Sequence, residues 1–260
     1  MEKETKQILC LSGWGQKFNS LEGIFSSADF GNFTVSSLDY STFGSVEDFF
    51  SSTTKQNLFP EIIIGWSLGG QLAIRLIEKK ILTPQLLILL APPFQMIKDS
   101  RIQAGMAKNT FDEFFKNFSN APSQTLKQFA ILTAMNDRNA SDIAKTLDIS
   151  DKNFPQLKFW LEELSRFSCF DVDFSNMPRT LLFHGAGDMI VHVSQAEYFK
   201  QKIKNLHLEI LKNCGHAPHL GHLEMVRKVI LGASKNESRS RNSLQFVSNR
   251  DVLDFVRSFF

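Results

Sequence analysis

Ile62-Ile63-Ile64-Gly65-Trp66-Ser67-Leu68-Gly69-Gly70 is the stretch that decides the fold. A solid β-branched run stops at a glycine, a serine follows two residues later, and a second glycine closes the turn. Beyond it Leu68, Leu72, Ala73, Ile74, Leu76 and Ile77 mark one broad apolar helix face. The order is buried strand, tight turn, amphipathic helix. Such a turn holds its central serine in a strained conformation, so side chains two residues to either side would clash. Gly65 and Gly69, helped by Gly70, remove that clash. The helix N-terminus also directs backbone N–H groups toward developing negative charge. Ser67 is therefore a candidate nucleophile. The alternative is a glycine-rich turn that only packs a helix on a sheet.

Outward from this turn the same form repeats. Residues 7–12, 33–38, 61–64, 85–90, 180–184 and 206–211 are short apolar runs of the kind that parallel sheets cover on both faces. Helical patterns lie between them at 46–52, 68–80 and 194–204. Strand alternating with helix predicts an α/β fold with a mostly parallel sheet of about six strands. The alternation breaks after the fourth strand. From 94 to 174 the chain reads as helix after helix, crowded with Phe111, Phe114, Phe115, Phe118, Phe129 and Trp160. This predicts a helical lid, 94–174, on a core formed by 1–93 and 175–260; the alternative is a helical subdomain whose aromatics only pack together. Residues 234–242 read as a solvated loop, and 248–251 as the start of a last helix.

Composition sets the limits. A chain of 260 residues, 43% hydrophobic and 22% charged, is an ordinary globular protein of one or two domains. Twenty-nine basic against 27 acidic residues leave a net charge of +2, too balanced for nucleic-acid binding by bulk electrostatics. No apolar run approaches the roughly 18–20 residues needed to span a bilayer. The charged stretch 1–7 runs straight into an apolar strand, so no signal peptide is expected. Cys10, Cys169 and Cys214 are widely spaced and lack metal-ligand spacing, so a reduced, cytoplasmic protein is expected.

A serine hydroxyl is a poor nucleophile unless a base takes its proton. Among six histidines, His216 follows Cys214-Gly215 just after the run 206–211, in a loop at the carboxyl end of the sheet. His219 is the rival base, although Gly215 and Pro218 favour His216 as the loop-tip residue. His219 and His222 also raise a metal cluster, but no convergent carboxylates or thiolates accompany them; no metal and no cofactor are expected. Asp188, in His184-Gly185-Ala186-Gly187-Asp188, follows the run 180–184 and is the candidate acid that fixes the base's tautomer. Its alternative is a turn or helix cap, and His184 reads as structural. An oxyanion hole needs two backbone donors: Leu68, next to the nucleophile, and Trp14, between Gly13 and Gly15 in the loop after the first strand. The Trp14 side chain also fits a core aromatic that closes the sheet end.

Leu11-Ser12-Gly13-Trp14-Gly15, the Gly65–Gly70 stretch, His184-Gly-Ala-Gly-Asp188-Met-Ile-Val191 and Cys214-Gly-His216-Ala-Pro218 resemble the α/β-hydrolase superfamily, whose triads run in the order Ser, Asp, His. The Gly-Trp-Gly and Gly-Trp-Ser-Leu-Gly-Gly pairing, with Lys127-Gln-Phe129-Ala-Ile-Leu-Thr133-Ala-Met135, is similar more narrowly to the pimeloyl-(acyl-carrier protein) methyl ester esterases of biotin synthesis. The likeness spans roughly residues 8–226. Three departures accompany it. Ser12-Gly13 stands where the family usually has His-Gly. The family usually opens with two extra antiparallel strands, whereas here the first parallel-type run comes almost at once, so a bare sheet edge is expected. Lids of the family carry several arginines, whereas this segment offers Lys127, Arg138 and Lys145, interleaved with Asp137 and Asp142.

The expectation is a monomeric serine carboxylesterase. Ser67 attacks an ester carbonyl, His216 relays the proton, Asp188 orients His216, and the Trp14 and Leu68 amides hold the oxyanion. The resemblance implies the methyl ester of pimeloyl-acyl-carrier protein as substrate, with the acyl-carrier protein as partner and neither nucleic acid nor membrane. It also implies an acyl chain along Phe129, Ala130, Ile131, Leu132 and Thr133 and against Trp14 and Trp66, and a carrier held by Lys127, Arg138 and Lys145. Those three cations are 11 and 7 residues apart, close to whole helical turns, so a nearly continuous helix places them on one side. A solvated face neutralised by Asp137 and Asp142 is the alternative. Two other classes stay open: a hydrolase of other small esters or thioesters, and a non-catalytic binding protein on the same scaffold.

Overall fold

The computed structural model describes residues 5–147 and 153–240, with side chains through residue 233. Strands β1 (Lys6–Leu11), β2 (Phe33–Ser37), β3 (Ile62–Trp66), β4 (Leu86–Leu90), β5 (Arg179–Gly185) and β6 (Leu206–Leu211) form one sheet in the order β2-β1-β3-β4-β5-β6. Every pairing is parallel. Each apolar run read from the sequence became a strand. In the inner strands β1, β3, β4 and β5 alternate side chains are buried on both faces, while the edge strands β2 and β6 are only partly covered. Leu9, Leu11, Ile63, Leu87, Leu89 and Leu182 face one core. Ile8, Cys10, Ile62, Ile64, Leu86, Ile88 and Leu181 face the other.

Helices close both cores. In chain order they are α1 (Asn19–Glu22), α2 (Val46–Lys55), α3 (Leu68–Glu78), α4 (Lys108–Asn120), α5 (Pro122–Ala134), α6 (Ala140–Thr146), α7 (Phe154–Arg166), α8 (Gln195–Lys202), α9 (Pro218–Gly221) and α10 (Leu223–Ser240). Phe49 of α2, Leu72 and Leu76 of α3 and Phe199 of α8 join the first core. Leu21 of α1 with Val226, Ile230 and Ala233 of α10 join the second. Burying each such side chain larger than alanine fully contributes about 1.5–3 kcal/mol. Local signals fix the helix starts as well: Ser45 accepts the Asp48 N–H at 3.0 Å at the head of α2.

Between β4 and β5 the described residues hold four α-helices, α4 to α7, two single-turn 3-10 helices (Cys169–Asp171 and Phe174–Asn176) and no strand, only isolated bridges at Gln95–Ser168 and Ile97–Met106. The two ends of this segment are stitched together. The Cys169 N–H donates to Phe94 O at 2.9 Å, and Ser168 Oγ donates to Gln95 Oε1 at 2.6 Å. Gln195 Oε1 then accepts both the Phe94 and Gln95 N–H groups. Trp14 reaches up from the loop after β1 into the segment. Its ring meets Phe114, Phe118 and Phe129 edge-on at 5.1–5.9 Å, and its indole N–H donates to Leu157 O at 2.8 Å.

Two expectations need correction. The loop expected at 234–242 is helix as far as Ser240, because α10 is already propagating from its buried face and polar residues continue a helix cheaply. The helix expected from 248 lies outside the described residues. A nearly continuous helix through 127–145 does not form either: α5 stops at Ala134, and Asn136 adopts a left-handed φ of 66° in a turn rich in Asn and Asp. No helix among the described residues is long and apolar enough to cross a membrane.

Candidate active site

Strand β3 ends at Trp66 and α3 begins at Leu68, which leaves Ser67 alone to make the corner. Its φ of 52° and ψ of −120° lie where non-glycine residues are strained by about 1–3 kcal/mol. The surroundings hold it there. The Ser67 N–H donates to Leu90 O at 2.9 Å, and Ser67 O accepts the Gly70 N–H at 2.9 Å. A Cβ on Gly69 would stand 2.2 Å from Leu11 O, and one on Gly65 would stand 2.6 Å from the Gly70 Cα. The two glycines of the motif are thus required by close backbone approach. That approach lets α3 sit directly on the ends of β1 and β3.

The loops after β5 and β6 converge on this serine. Ser67 Oγ–H donates to His216 Nε2 at 2.9 Å, and His216 Nδ1–H donates to Asp188 Oδ2 at 2.7 Å. All three residues are buried. The other carboxylate oxygen of Asp188 accepts the Ile190 and Val191 N–H groups at 2.8 and 2.9 Å. Burial by itself opposes ionisation of Asp188. The adjacent His216 and hydrogen bonds from His184 and His216 outweigh it and hold the carboxyl below the usual carboxylate range. An ionised Asp188 fixes the proton on Nδ1, leaving Nε2 free to take one from Ser67. His184, fully buried, donates from Nε2 to Val191 O at 2.9 Å and lies 3.3 Å from Asp188 Oδ2, so it braces the acid loop.

The other histidines stand apart. His219 is buried with its ring edge-on to Trp66, centroids 4.7 Å apart. Burial, then the neighbouring His216, pushes its imidazole down to about 3. Among the described residues no three His, Cys, Asp or Glu side chains gather to hold a metal ion. Cys10, Cys169 and Cys214 are buried free thiols, and burial pushes each thiol up, away from reactivity. The Trp14 and Leu68 amides make no hydrogen bond to a protein acceptor among the described residues; Leu68 directly follows Ser67, and Trp14 lies in the loop after β1.

The residues expected along an acyl chain divide. Phe129 packs on Trp14, while Ala130 and Thr133 are buried. Ile131 is 57% exposed and turns away, because five consecutive helical residues sweep well over a full turn and cannot line one pocket. It lines a cleft of about 520 Å³ between α5 and α6 that includes none of Ser67, Asp188 or His216. Lys127 and Lys145 border the same cleft from the two helices, Lys145 also pairing with Asp142 at 3.3 Å, whereas Arg138 sits in the turn. Trp66 has a role that the sequence reading missed. Its indole N–H donates to His216 O at 2.8 Å, and the His216 N–H donates to Thr133 O at 2.9 Å. The backbone of His216 is therefore held at both ends. A tryptophan beside the motif serine hinted at this, but only the fold supplies the partner.

Residues 8–228 match the alpha/beta hydrolase family. A pimeloyl-(acyl-carrier protein) methyl ester esterase of Nitrosospira multiformis is 30% identical over 62% of this chain and 63% of its own length. The match thus spans less than two thirds of that relative. The enzyme of the same name from Neisseria meningitidis is 24% identical over 86% of this chain and 91% of its own. Among solved structures, a bromoperoxidase from Bacillus anthracis superposes with a TM-score of 0.78 at 18% identity, covering 88% of this chain and 92% of that one. An esterase from Exiguobacterium antarcticum gives 0.74 at 17% identity, covering 90% and 93%. At such identities the superpositions describe the fold alone.

Proposed function

The chain belongs to the alpha/beta hydrolase family, and from that premise we propose that it is a serine carboxylesterase acting on the methyl ester of pimeloyl-acyl-carrier protein. The observation that carries the reading is the continuous hydrogen-bonded line Ser67–His216–Asp188 at 2.9 and 2.7 Å. In this reading Ser67 Oγ adds to the ester carbonyl as His216 Nε2 takes its proton. The Trp14 and Leu68 amides stabilise the oxyanion. Collapse of the tetrahedral adduct expels methanol, which receives the proton from His216. Water then attacks the acyl-enzyme with His216 again as base, releasing the free carboxylate and restoring Ser67. No cofactor takes part. Segment 94–174 serves as a lid over the buried serine, and the carrier docks on Lys127, Arg138 and Lys145. In this reading the protein works in the cytoplasm as a monomer.

Support for the finer substrate comes from the names of the relatives and from Lys127 and Lys145 sharing one apolar cleft. The pairing of Lys145 with Asp142 favours a second reading, hydrolysis of small free carboxylic esters without a carrier. Restoration of biotin-independent growth in a host lacking this esterase tests the first reading. Growth restored by the parent and lost in Ser67→Ala supports it. A chain that hydrolyses p-nitrophenyl esters but never restores growth belongs to the second.

A further inference from the structure

We infer that Asn136 and Asp137, in the turn after α5, are positioning residues that fasten the helical segment to the acid and base loops. This rests on the reading of Ser67, His216 and Asp188 as the catalytic set. Asn136 Nδ2–H donates to Gly187 O at 2.9 Å, one residue before Asp188. The Gly215 N–H donates to Asp137 Oδ2 at 3.4 Å, one residue before His216. The two loops are also joined to each other, since the Gly187 N–H donates to Cys214 O at 3.0 Å.

The turn meets these loops without slack. A Cβ on Gly187 would stand 2.6 Å from the Asn136 Cβ, and one on Gly215 would stand 2.6 Å from Met135 O. The left-handed φ of Asn136 is one that asparagine tolerates better than most residues. Asp137 divides its carboxylate, with Oδ1 accepting the Asn139 N–H at 3.3 Å and Oδ2 serving the base loop. Ser67 is fixed by the sheet; the residues just before Asp188 and His216 are fixed partly by the helical segment. A misplacement of about 1 Å between reacting groups costs on the order of a hundredfold in rate, so this turn sets how well the base meets the serine.

The test uses the full chain, p-nitrophenyl butyrate hydrolysis, the rate of Ser67 phosphonylation by a fluorophosphonate, and thermal unfolding. Asn136→Gly deletes the amide and keeps a residue at ease with a positive φ. It is expected to lower kcat and the phosphonylation rate by roughly tenfold or more, with KM changed less than about twofold and Tm within a few degrees. Asp137→Ala is expected to lower both rates, and Asp137→Asn, which keeps an acceptor, to restore most of the loss. Parental phosphonylation rates in folded Asn136→Gly and Asp137→Ala would overturn the inference, as would losses that track Tm. If Asn136→Gly fails to fold, the Asp137 pair decides. Ser67→Ala separates the two levels: full hydrolysis by that variant sinks the catalytic reading itself, whereas an inactive Ser67→Ala beside fully active turn variants sinks only the positioning role.

Discussion

The strand-end turn at Ser67 and the helical segment between β4 and β5 hold the same site by different means. At the turn, backbone lies on backbone: Gly69 is packed on the Leu11 carbonyl and Ser67 is locked at a φ of 52°. In the segment, side chains carry the load. Trp14 is enclosed by three phenylalanines and the Asn136 amide reaches the Asp188 loop, while one backbone carbonyl, Thr133 O, takes the His216 N–H. Backbone packing at close range leaves little choice of residue, so it writes a short motif. Side-chain packing accepts many solutions and writes none. The site is thus divided between a rigid half that belongs to the sheet and a half shared with the helices.

The largest expected effect lies in the rigid half. Ser67→Ala should lower kcat by roughly three or more orders of magnitude, and Asp188→Asn by a comparable factor through the wrong tautomer, both with parental circular dichroism. His219→Ala should leave most of the turnover, because that ring lies on Trp66 while His216 makes the bond to Ser67. Loss of activity in His219→Ala with retention in His216→Ala would reverse the assignment.

Next comes the seam between the halves. Trp14→Ala keeps the backbone amide but removes a buried ring, and a loss of about 3–5 kcal/mol is expected in urea unfolding. Hydrogen exchange should rise first in α4 and α5 and last in β3 and β4. A loss below about 1 kcal/mol would mean that the segment does not depend on Trp14.

A smaller effect, confined to acid pH, sharpens the comparison of the two histidines. His219 is held neutral down to about 3 in the folded chain, against about 6.5 in the unfolded one. Between those values the unfolded chain binds one more proton, so stability falls as pH falls, by about 1.4 kcal/mol per pH unit. The full stability is present above about pH 6.5. His219→Phe should remove that slope, which urea midpoints at pH 7 and 4.5 will show. An unchanged slope would place the acid sensitivity elsewhere.

Much of this was legible in the sequence where period and backbone geometry speak directly. Six apolar runs gave six parallel strands because the inner strands alternate between two cores and the edge strands β2 and β6 pair with them. That Ser67, Asp188 and His216 meet was readable because each lies in a turn or loop that follows a strand at the same end of the sheet. What escaped was set by distant partners. No local pattern says that the Trp66 indole seeks His216 O, 150 residues away. Nor does the run 127–145 announce that Asn136 breaks the helix, so Lys127 and Lys145 meet across a cleft instead of along one face.

That cleft is the place for the smallest expected effect. Lys127 and Lys145 border an apolar groove lined by Ala130, Ile131 and Ala144, while Arg138 lies in the turn. If an acidic carrier docks there, the two lysines act mainly on association, and salt weakens it. Replacing both with Ala should raise KM for the carrier-bound ester by a few fold, worth about 1 kcal/mol or less as for exposed ion pairs. The salt dependence of kcat/KM should flatten, with turnover of a small methyl ester unchanged because Ser67, His216 and Asp188 are untouched. Arg138→Ala should contribute less than either lysine, since the turn removes it from the cleft. An equal loss on both substrates would show that the variant has disturbed α5, and through Thr133 the base itself. No effect on either would leave the groove without a part in recognition and turn the case toward the free-ester reading.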